Sequence, residues 1–394
     1  RILKKTLLNT IMLKKYQEIR KRTTDICAPL KVEDYVPQIA VHASPPKWHL
    51  AHTTWFFEEM ILTKQIPDYK VFDPEFGFLF NSYYQSLGDR LFRAERGHIT
   101  RPGVEEVYAY RNYIDKYMHE LLSNSDLSSE LMEVITLGLN HEQQHQELLI
   151  TDLKLALAHN PIFPIYKQGH SLTSGQNLEE GWHKQKEGLY KIGHDSDNFS
   201  FDNEHGRHTV FLHEFEISKS LVTNGDFIEF MEAGGYDKFQ YWLDEGWSWV
   251  SENNVKSPLY WHKVDDQWHN FTLSGLLPID PDAILCHVSF YEANAFAAWK
   301  GMRLPTEFEW EVVSDQINWG QRWEWTNSAY LPYPNFKIKE GAVGEYNGKF
   351  MVNQMILRGG SVATALGHSR KTYRNFFHPH FQWQFSGIRL VKTL

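Results

Sequence analysis

Asn140-His141-Glu142-Gln143-Gln144-His145-Gln146-Glu147 lies inside a run, about Leu127 to Ala158, whose apolar spacing predicts one long helix. A four-residue separation puts His141 and His145 on one helix face with Cβ atoms roughly 5–6 Å apart, near enough to chelate one divalent metal. Two histidines alone are as readily a solvated or core-satisfied pair, and the Glu142 between them also allows a zinc-protease reading with Glu142 as general base. A third ligand decides between these readings, and the better candidates lie upstream. Trp48-His49-Leu50-Ala51-His52-Thr53-Thr54-Trp55-Phe56 carries two histidines three apart, framed by large aromatics. One or both must turn inward if this segment is a second helix of a bundle, since bundles build metal sites from facing helices. Three neutral nitrogens on one side of a metal leave the other positions open to substrates. Such a site suits ferrous oxygen chemistry or catalytic zinc, and spacing leaves the metal's identity open.

Outward from these two segments the chain reads as four helices followed by a different texture. The other two are expected near 4–26 and from Arg101-Pro102-Gly103 onward. Ser44 is a candidate cap for the second helix, with proline pre-setting its first turn, and Ser125 or Asp126 for the fourth. The fourth helix would be about 45 Å long. Residues 66–100 are a long irregular segment, which inside a compact domain is usually functional. After Asn160-Pro161 come short alternating runs, Gly-rich turns and many Trp, with helical pieces expected at Asn224–Ala233 and at Ser289–Lys300. In the latter, Phe290, Ala293, Ala297 and Ala298 share one side. The expected organisation is α+β: a four-helix bundle over 1–164 and a loop-rich mixed domain over 165–394.

Composition excludes several partners. With net charge −9 and Lys and Arg scattered along the chain, a nucleic-acid partner is not expected. No apolar run reaches membrane-spanning length, and the basic, apolar residues at the start read as an amphipathic helix rather than a targeting segment. Two distant cysteines, Cys27 and Cys286, offer neither a disulfide framework nor a thiolate metal site, so a reducing cytoplasm fits. The 20 His, 14 Trp, 19 Tyr and 25 Phe can supply both metal ligands and aromatic walls for an organic cation.

The residues resemble the ergothioneine-synthesising sulfoxide synthases along almost the whole chain. In the first domain the likeness is carried by WHLAHTTWFFEE at 48–59, FNSYYQSLG at 80–88, RGHITRPGVEEVYAYR at 96–111 and HEQQHQELL at 141–149. In the second it is carried by CHVSFYEANAFAAW at 286–299, RLPTEFEWE at 303–311, WEWTNSAYLPYP at 323–334, YNGKF at 346–350, LRGGSVATALGHSRKTYRNFF at 357–377 and WQFSGIRL at 383–390. The resemblance implies a DinB-like four-helix bundle joined to a formylglycine-generating-enzyme-like domain of C-type-lectin character. It implies iron(II) held by His52, His141 and His145, with His49 not a ligand and O2 as co-substrate. It implies further that Gln144 bonds the imidazole of hercynine, the trimethylated histidine, and that Asn375 and Phe376 wall its trimethylammonium group. An aromatic face attracts such a cation by about 0.5–2 kcal/mol.

The finer implications concern the sulfur donor and the proton. The Tyr83-Tyr84 pair together with Arg374-Asn375-Phe376-Phe377 resembles the members whose donor is free cysteine. In the dipeptide-using type an acidic residue replaces Phe377 and grips the glutamyl ammonium, which a phenyl ring cannot do. Arg93 and Arg96 are candidates for the cysteine carboxylate, with plain surface arginines as the alternative. Tyr83 or Tyr84 would deliver a proton or hydrogen atom, so that carbon–sulfur bonding outruns thiol dioxygenation. Within the same architecture the alternatives are a selenosugar-using selenoneine synthase and an ovothiol-type enzyme. The latter's chains usually continue into a methyltransferase domain, whereas this sequence stops at Leu394. Outside it stand the DinB-like metal-dependent thiol transferases, which lack the second domain. Formylglycine generation needs paired reactive cysteines, and Cys286 stands by itself in an apolar run that favours a small buried role.

Overall fold

The computed structural model describes residues 2–82, 84, 88–124, 127–169, 175–338 and 347–394. They form two compact units, Arg1–Tyr166 and Lys167–Leu394.

The first unit is built on α1 (Ile2–Cys27), α2 (Pro46–Phe57), α5 (Val104–Asn124) and α6 (Ser129–Ala158), which pack against one another as a bundle. Every residue of α2 is buried, so it is the central helix and not an amphipathic one at the surface. A π turn at Glu58–Leu62 carries it on into α3 (Thr63–Gln65). Its closest approach to α6 is made possible by Gly138. A Cβ there would sit 2.7 Å from the Phe56 ring and 2.9 Å from that of Phe57. Glycine inside a helix costs about 1 kcal/mol relative to alanine, and here it lets α2 lie against the face that carries His141.

The starts of two helices differ from expectation. Pro45, not Ser44, is the N-cap of α2, and no side chain caps it. Ser44 is engaged elsewhere: its Oγ accepts a hydrogen bond from Arg96, and its backbone N–H donates to Asp152. For α6 the cap is Ser128, whose Oγ accepts from the Leu131 N–H at 3.1 Å. The expected caps Ser125 and Asp126 lie outside the described residues. Among the described residues between α3 and α5 the elements are α4 (Phe76–Leu79) and a 3₁₀ turn at Arg93–His98.

The second unit holds four small sheets. β1 (Trp182–Gln185), β4 (Phe215–Ser218) and β12 (Val391–Thr393) form one, in the order β1-β4-β12. β2 (Gly188–Ile192) pairs with β3 (His208–Leu212), and β5 (Trp261–Val264), β6 (Gln267–Thr272) and β7 (Gly275–Pro278) make an antiparallel meander. The fourth has the order β10-β9-β8-β11, from β8 (Trp323–Ala329), β9 (Met355–Gly359), β10 (Asn375–Phe377) and β11 (Ser386–Gly387). Phe215 and Ile217 of β4, Val391 of β12 and Trp310 and Val313 meet in a buried core.

The two helices expected in this unit are α7 (Asn224–Glu232), capped by Thr223, and α9 (Phe290–Trp299), capped by Ser289, each with a capping box. Phe290, Ala293 and Ala297 are buried as expected, but Ala298 is exposed because the inward stripe of α9 runs instead through Ala295 and Phe296. Two further helices among the described residues, α8 (Asp244–Glu252) and α10 (Glu307–Val313), were not expected from the sequence.

Buried ion pairs stitch this unit together. Glu307 of α10 accepts hydrogen bonds from Arg358 at 3.0 Å and from two nitrogens of Arg374 at 2.9 Å. Glu324 of β8 accepts two from Arg389, at 2.6 and 2.8 Å. Each charge is matched, as burial demands. Arg374 also fixes the start of the strand that carries Asn375, Phe376 and Phe377.

Candidate metal centre

His52 of α2 and His141 and His145 of α6 each bring a ring nitrogen to within 4.8 Å of the other two, and all three residues are buried. His52 Nε2 and His141 Nε2 lie 3.2 Å apart. Among the described residues this is the one such grouping of His, Cys, Asp or Glu.

The ring of His52 is fixed on every side. Its Nδ1–H donates to the Phe80 carbonyl at 2.6 Å, leaving the Nε2 lone pair directed at His141. Trp48 stacks on one face at 4.4 Å and 12°, and Trp55 lies near-parallel at 5.6 Å and 15°. His49 is outside the group: it lies 2.9 Å from His145, Nδ1 to Nδ1, and reaches Asp152 at 2.8 Å through Nε2.

Electrostatics keep these rings neutral. Burial pushes His52 and His145 well below the ordinary 6.5, and the neighbouring His141 and the Arg96 guanidinium push the same way. Burial likewise brings His141 down to about 4, against the opposing pull of Glu142. Three neutral imidazoles with converging lone pairs are the form that binds a divalent cation. The donor set is all nitrogen, which suits iron(II) and zinc alike.

Glu142 has no part in this group. It faces α1 and α5, where Oε2 accepts from Arg20 at 3.0 Å and Oε1 accepts from Thr23 at 2.6 Å and Arg111 at 3.0 Å. Burial alone would raise its pKa, but Arg20 and Arg111 overcome that and hold it at about 2. A carboxylate so saturated is no general base, which removes the zinc-protease alternative.

The remaining candidates are distributed unevenly. Tyr84 is buried, its ring 5.5 Å from Trp55 and 6.5 Å from Phe56, so it stands beside the helix that carries His52. Tyr83 lies outside the described residues. Gln144 is half-buried, one position before His145. Arg96 is buried with its guanidinium 3.4 Å above the Trp48 ring, donating to Ser44 and to Ser82 at 2.9 Å. Arg93 is directed away, donating to the His42 carbonyl.

In the second unit, Asn375 accepts a hydrogen bond from the Phe376 backbone N–H. Phe376 stacks on Tyr330 at 4.1 Å and 12° and lies 6.0 Å from Phe350. Phe377 meets Trp383 edge-on at 5.1 Å. All three are half-buried.

Comparison with known proteins adds an independent line. The family of sulfatase-modifying factor enzyme 1-like domains matches residues 180–316. A hercynine oxygenase of Mycolicibacterium smegmatis is 28% identical, over 88% of this chain and 91% of that protein. One from Mycolicibacterium thermoresistibile is 26% identical, over 88% of this chain and 87% of its own. Over nearly its whole length the chain is similar to hercynine oxygenases. The likeness marks it as an enzyme of the oxygenase class. A formylglycine-generating enzyme of Thermomonospora curvata, 32% identical, covers only 39% of the chain, which marks the fold shared by the second unit.

Several residues around the triad escape sequence reasoning. Phe80 acts through its backbone carbonyl, and a carbonyl has no letter. Asp152 lies seven residues beyond His145, two helical turns along the same face, and that spacing was a usable signal. Gly138, seven residues before His145, was another. Both cysteines are free thiols; Cys27 is buried, while Cys286 is only half-buried.

Proposed function

We propose that this chain is an iron(II)- and O2-dependent sulfoxide synthase that joins the sulfur of L-cysteine to the imidazole of hercynine in ergothioneine biosynthesis. The observation that carries the reading is the buried, neutral group of His52, His141 and His145 in a chain whose full-length relatives are hercynine oxygenases. No helix of the described residues is long and apolar enough to cross a membrane, and both cysteines are free thiols; the enzyme is proposed to work in the cytoplasm on small molecules.

Iron(II) bound by the three imidazoles would supply electrons for O2 and adjacent positions for both organic substrates. The protein's own groups do the rest. Tyr84, with Tyr83 as the other candidate, holds the proton or hydrogen atom that steers the outcome toward the sulfoxide. Its place in the wall formed with Trp55 and Phe56 supports that role. Gln144 offers its side-chain amide to the hercynine imidazole. Asn375 and Phe376 receive the trimethylammonium group, which donates no hydrogen bond and is attracted by an aromatic face. Phe377 offers nothing to a glutamyl ammonium, which favours free cysteine as donor.

Arg96 is a better partner than Arg93 for the cysteine carboxylate. Two serine hydroxyls and the Trp48 ring hold it, and its charge is felt at His52 and His145. The test is an assay with iron(II) and hercynine, run with and without O2, against cysteine, γ-glutamylcysteine and a selenosugar in parallel, read by product mass. Sulfoxide from cysteine alone, and only with O2, is the expected result. Turnover of the dipeptide alone overturns the reading of Phe377; product formation without O2 overturns the oxygenase mechanism.

A further inference from the structure

The geometry points to His49 and Asp152 as a relay that fixes which nitrogen of His145 can bind metal. This inference rests on the reading of His52, His141 and His145 as the metal site.

Asp152 Oδ2 lies 2.8 Å from His49 Nε2 and also accepts the Ser44 backbone N–H at 2.8 Å. A carboxylate oxygen only accepts, so the proton between it and the ring sits on His49 Nε2. The other nitrogen of a singly protonated His49, Nδ1, is then an acceptor. It lies 2.9 Å from His145 Nδ1, and two imidazole nitrogens at that distance share one proton. With His49 accepting, that proton belongs to His145 Nδ1. The lone pair of His145 is thereby left on Nε2.

Reversing the chain shows why direction matters. Were His49 to donate through Nδ1, His145 would accept there and carry its proton on Nε2, unable to ligate from that atom. His52 reaches the same tautomer by a shorter route, its Nδ1–H meeting the Phe80 carbonyl directly. His145 sits inside the bundle with another imidazole next to it, so a carboxylate one ring further out sets its polarity. His49, Asp152 and His145 are all nearly inaccessible to solvent, at 2%, 4% and 7% exposure, so water does not compete for these protons. Outer partners of this kind orient metal-bound histidines generally, and losing one typically weakens metal binding about 10–100-fold.

Two measurements on the full chain test the relay. In the metal-free protein with ¹⁵N-labelled histidine, two-bond nitrogen–proton couplings should place the proton of His145 on Nδ1 and that of His49 on Nε2. A proton on His145 Nε2 overturns the proposal with no variant needed. Cobalt(II) titration, followed by its visible absorption, should show His49→Phe and Asp152→Ala binding about 10–100-fold more weakly. The conservative Asp152→Asn, whose amide oxygen can still accept from His49, should recover most of the affinity. A merely structural role would lower the melting temperature of all variants and leave cobalt affinity unchanged, which overturns the relay. His52→Gln and His145→Gln separate the two readings. If they abolish cobalt binding while His49→Phe binds normally, the relay falls alone; if they too bind normally, the metal site falls and the relay with it.

Discussion

Glu142 and its neighbours His141 and His145 share two turns of α6 and are equally hidden from water, yet their surroundings are opposite. The carboxylate meets two guanidiniums and a hydroxyl, so every lone pair it presents is engaged. The imidazoles face one another, stripped of charge by burial, with lone pairs converging on a common point. One helix therefore builds a closed electrostatic staple toward α1 and α5 and an acceptor cluster toward α2. Burial of polar groups carries no functional message by itself; what distinguishes the site is that three buried, neutral imidazoles bring ring nitrogens to within 4.8 Å of one another. The ion pairs of the second unit, Glu307 with Arg358 and Arg374 and Glu324 with Arg389, are of the closed kind.

The comparison breaks most visibly through the triad. His52→Gln, His141→Gln and His145→Gln should each leave a folded chain that retains no iron(II) after dialysis and forms no sulfoxide, measured by metal analysis and product mass. Retained metal in all three would erase the distinction between the two faces. Glu142→Gln should do the reverse, destabilising the fold by about 3–5 kcal/mol because Arg111 loses its counter-charge and Arg20 keeps only Asp115. Denaturant unfolding reads this, and metal affinity of the folded fraction should change far less.

Acid should separate the faces in the metal-free chain. A group whose folded pKa lies below its unfolded value binds fewer protons when folded, so stability falls as pH drops between the two values. For His141 that window runs from 6.5 down to about 4, with His52 and His145 adding to it. For Glu142 it runs from 4.5 down to about 2. Each group adds up to about 1.4 kcal/mol per pH unit inside its window. Denaturation midpoints from pH 7.5 to 3 should therefore fall in two stages, the upper one shallower in His141→Gln. A midpoint flat between 6.5 and 4.5 contradicts the neutral triad. The smallest effect belongs to the second unit. Phe376→Leu should raise KM for hercynine by an amount equivalent to about 0.5–2 kcal/mol with kcat little changed, as lost cation–π attraction predicts. An unaltered KM would remove that ring from substrate binding.

Much of the molecule could be read from the letters because its signals are local. Four-residue spacing put His141 and His145 on one side of a long helix, and α7 begins at the expected Asn224 while α9 begins one residue after the expected Ser289. α10, seven residues long, spans too few turns for a period to emerge, and α8 was missed although it matches α7 in length. Ser44 misled because a serine before proline looks like a cap, whereas Arg96, 52 residues away, claims its hydroxyl. Ala298 misled because four small or apolar letters spaced along one side do not reveal which neighbouring stripe the core selects.

The sequence by itself determined which chemistry was possible: histidines at chelating intervals, an abundance of aromatic rings, and motif blocks along both units. The motif resemblance already singled out His52 over His49, but only tertiary structure placed His49 behind the cluster, between His145 and Asp152. Tertiary structure also decided that Glu142 is spent on arginines and that a backbone carbonyl at Phe80 sets a ring's proton. The reason is physical: spacing fixes direction within one helix, but partners come from segments far apart in the chain. Hydrogen-bond polarity is settled only when those partners meet.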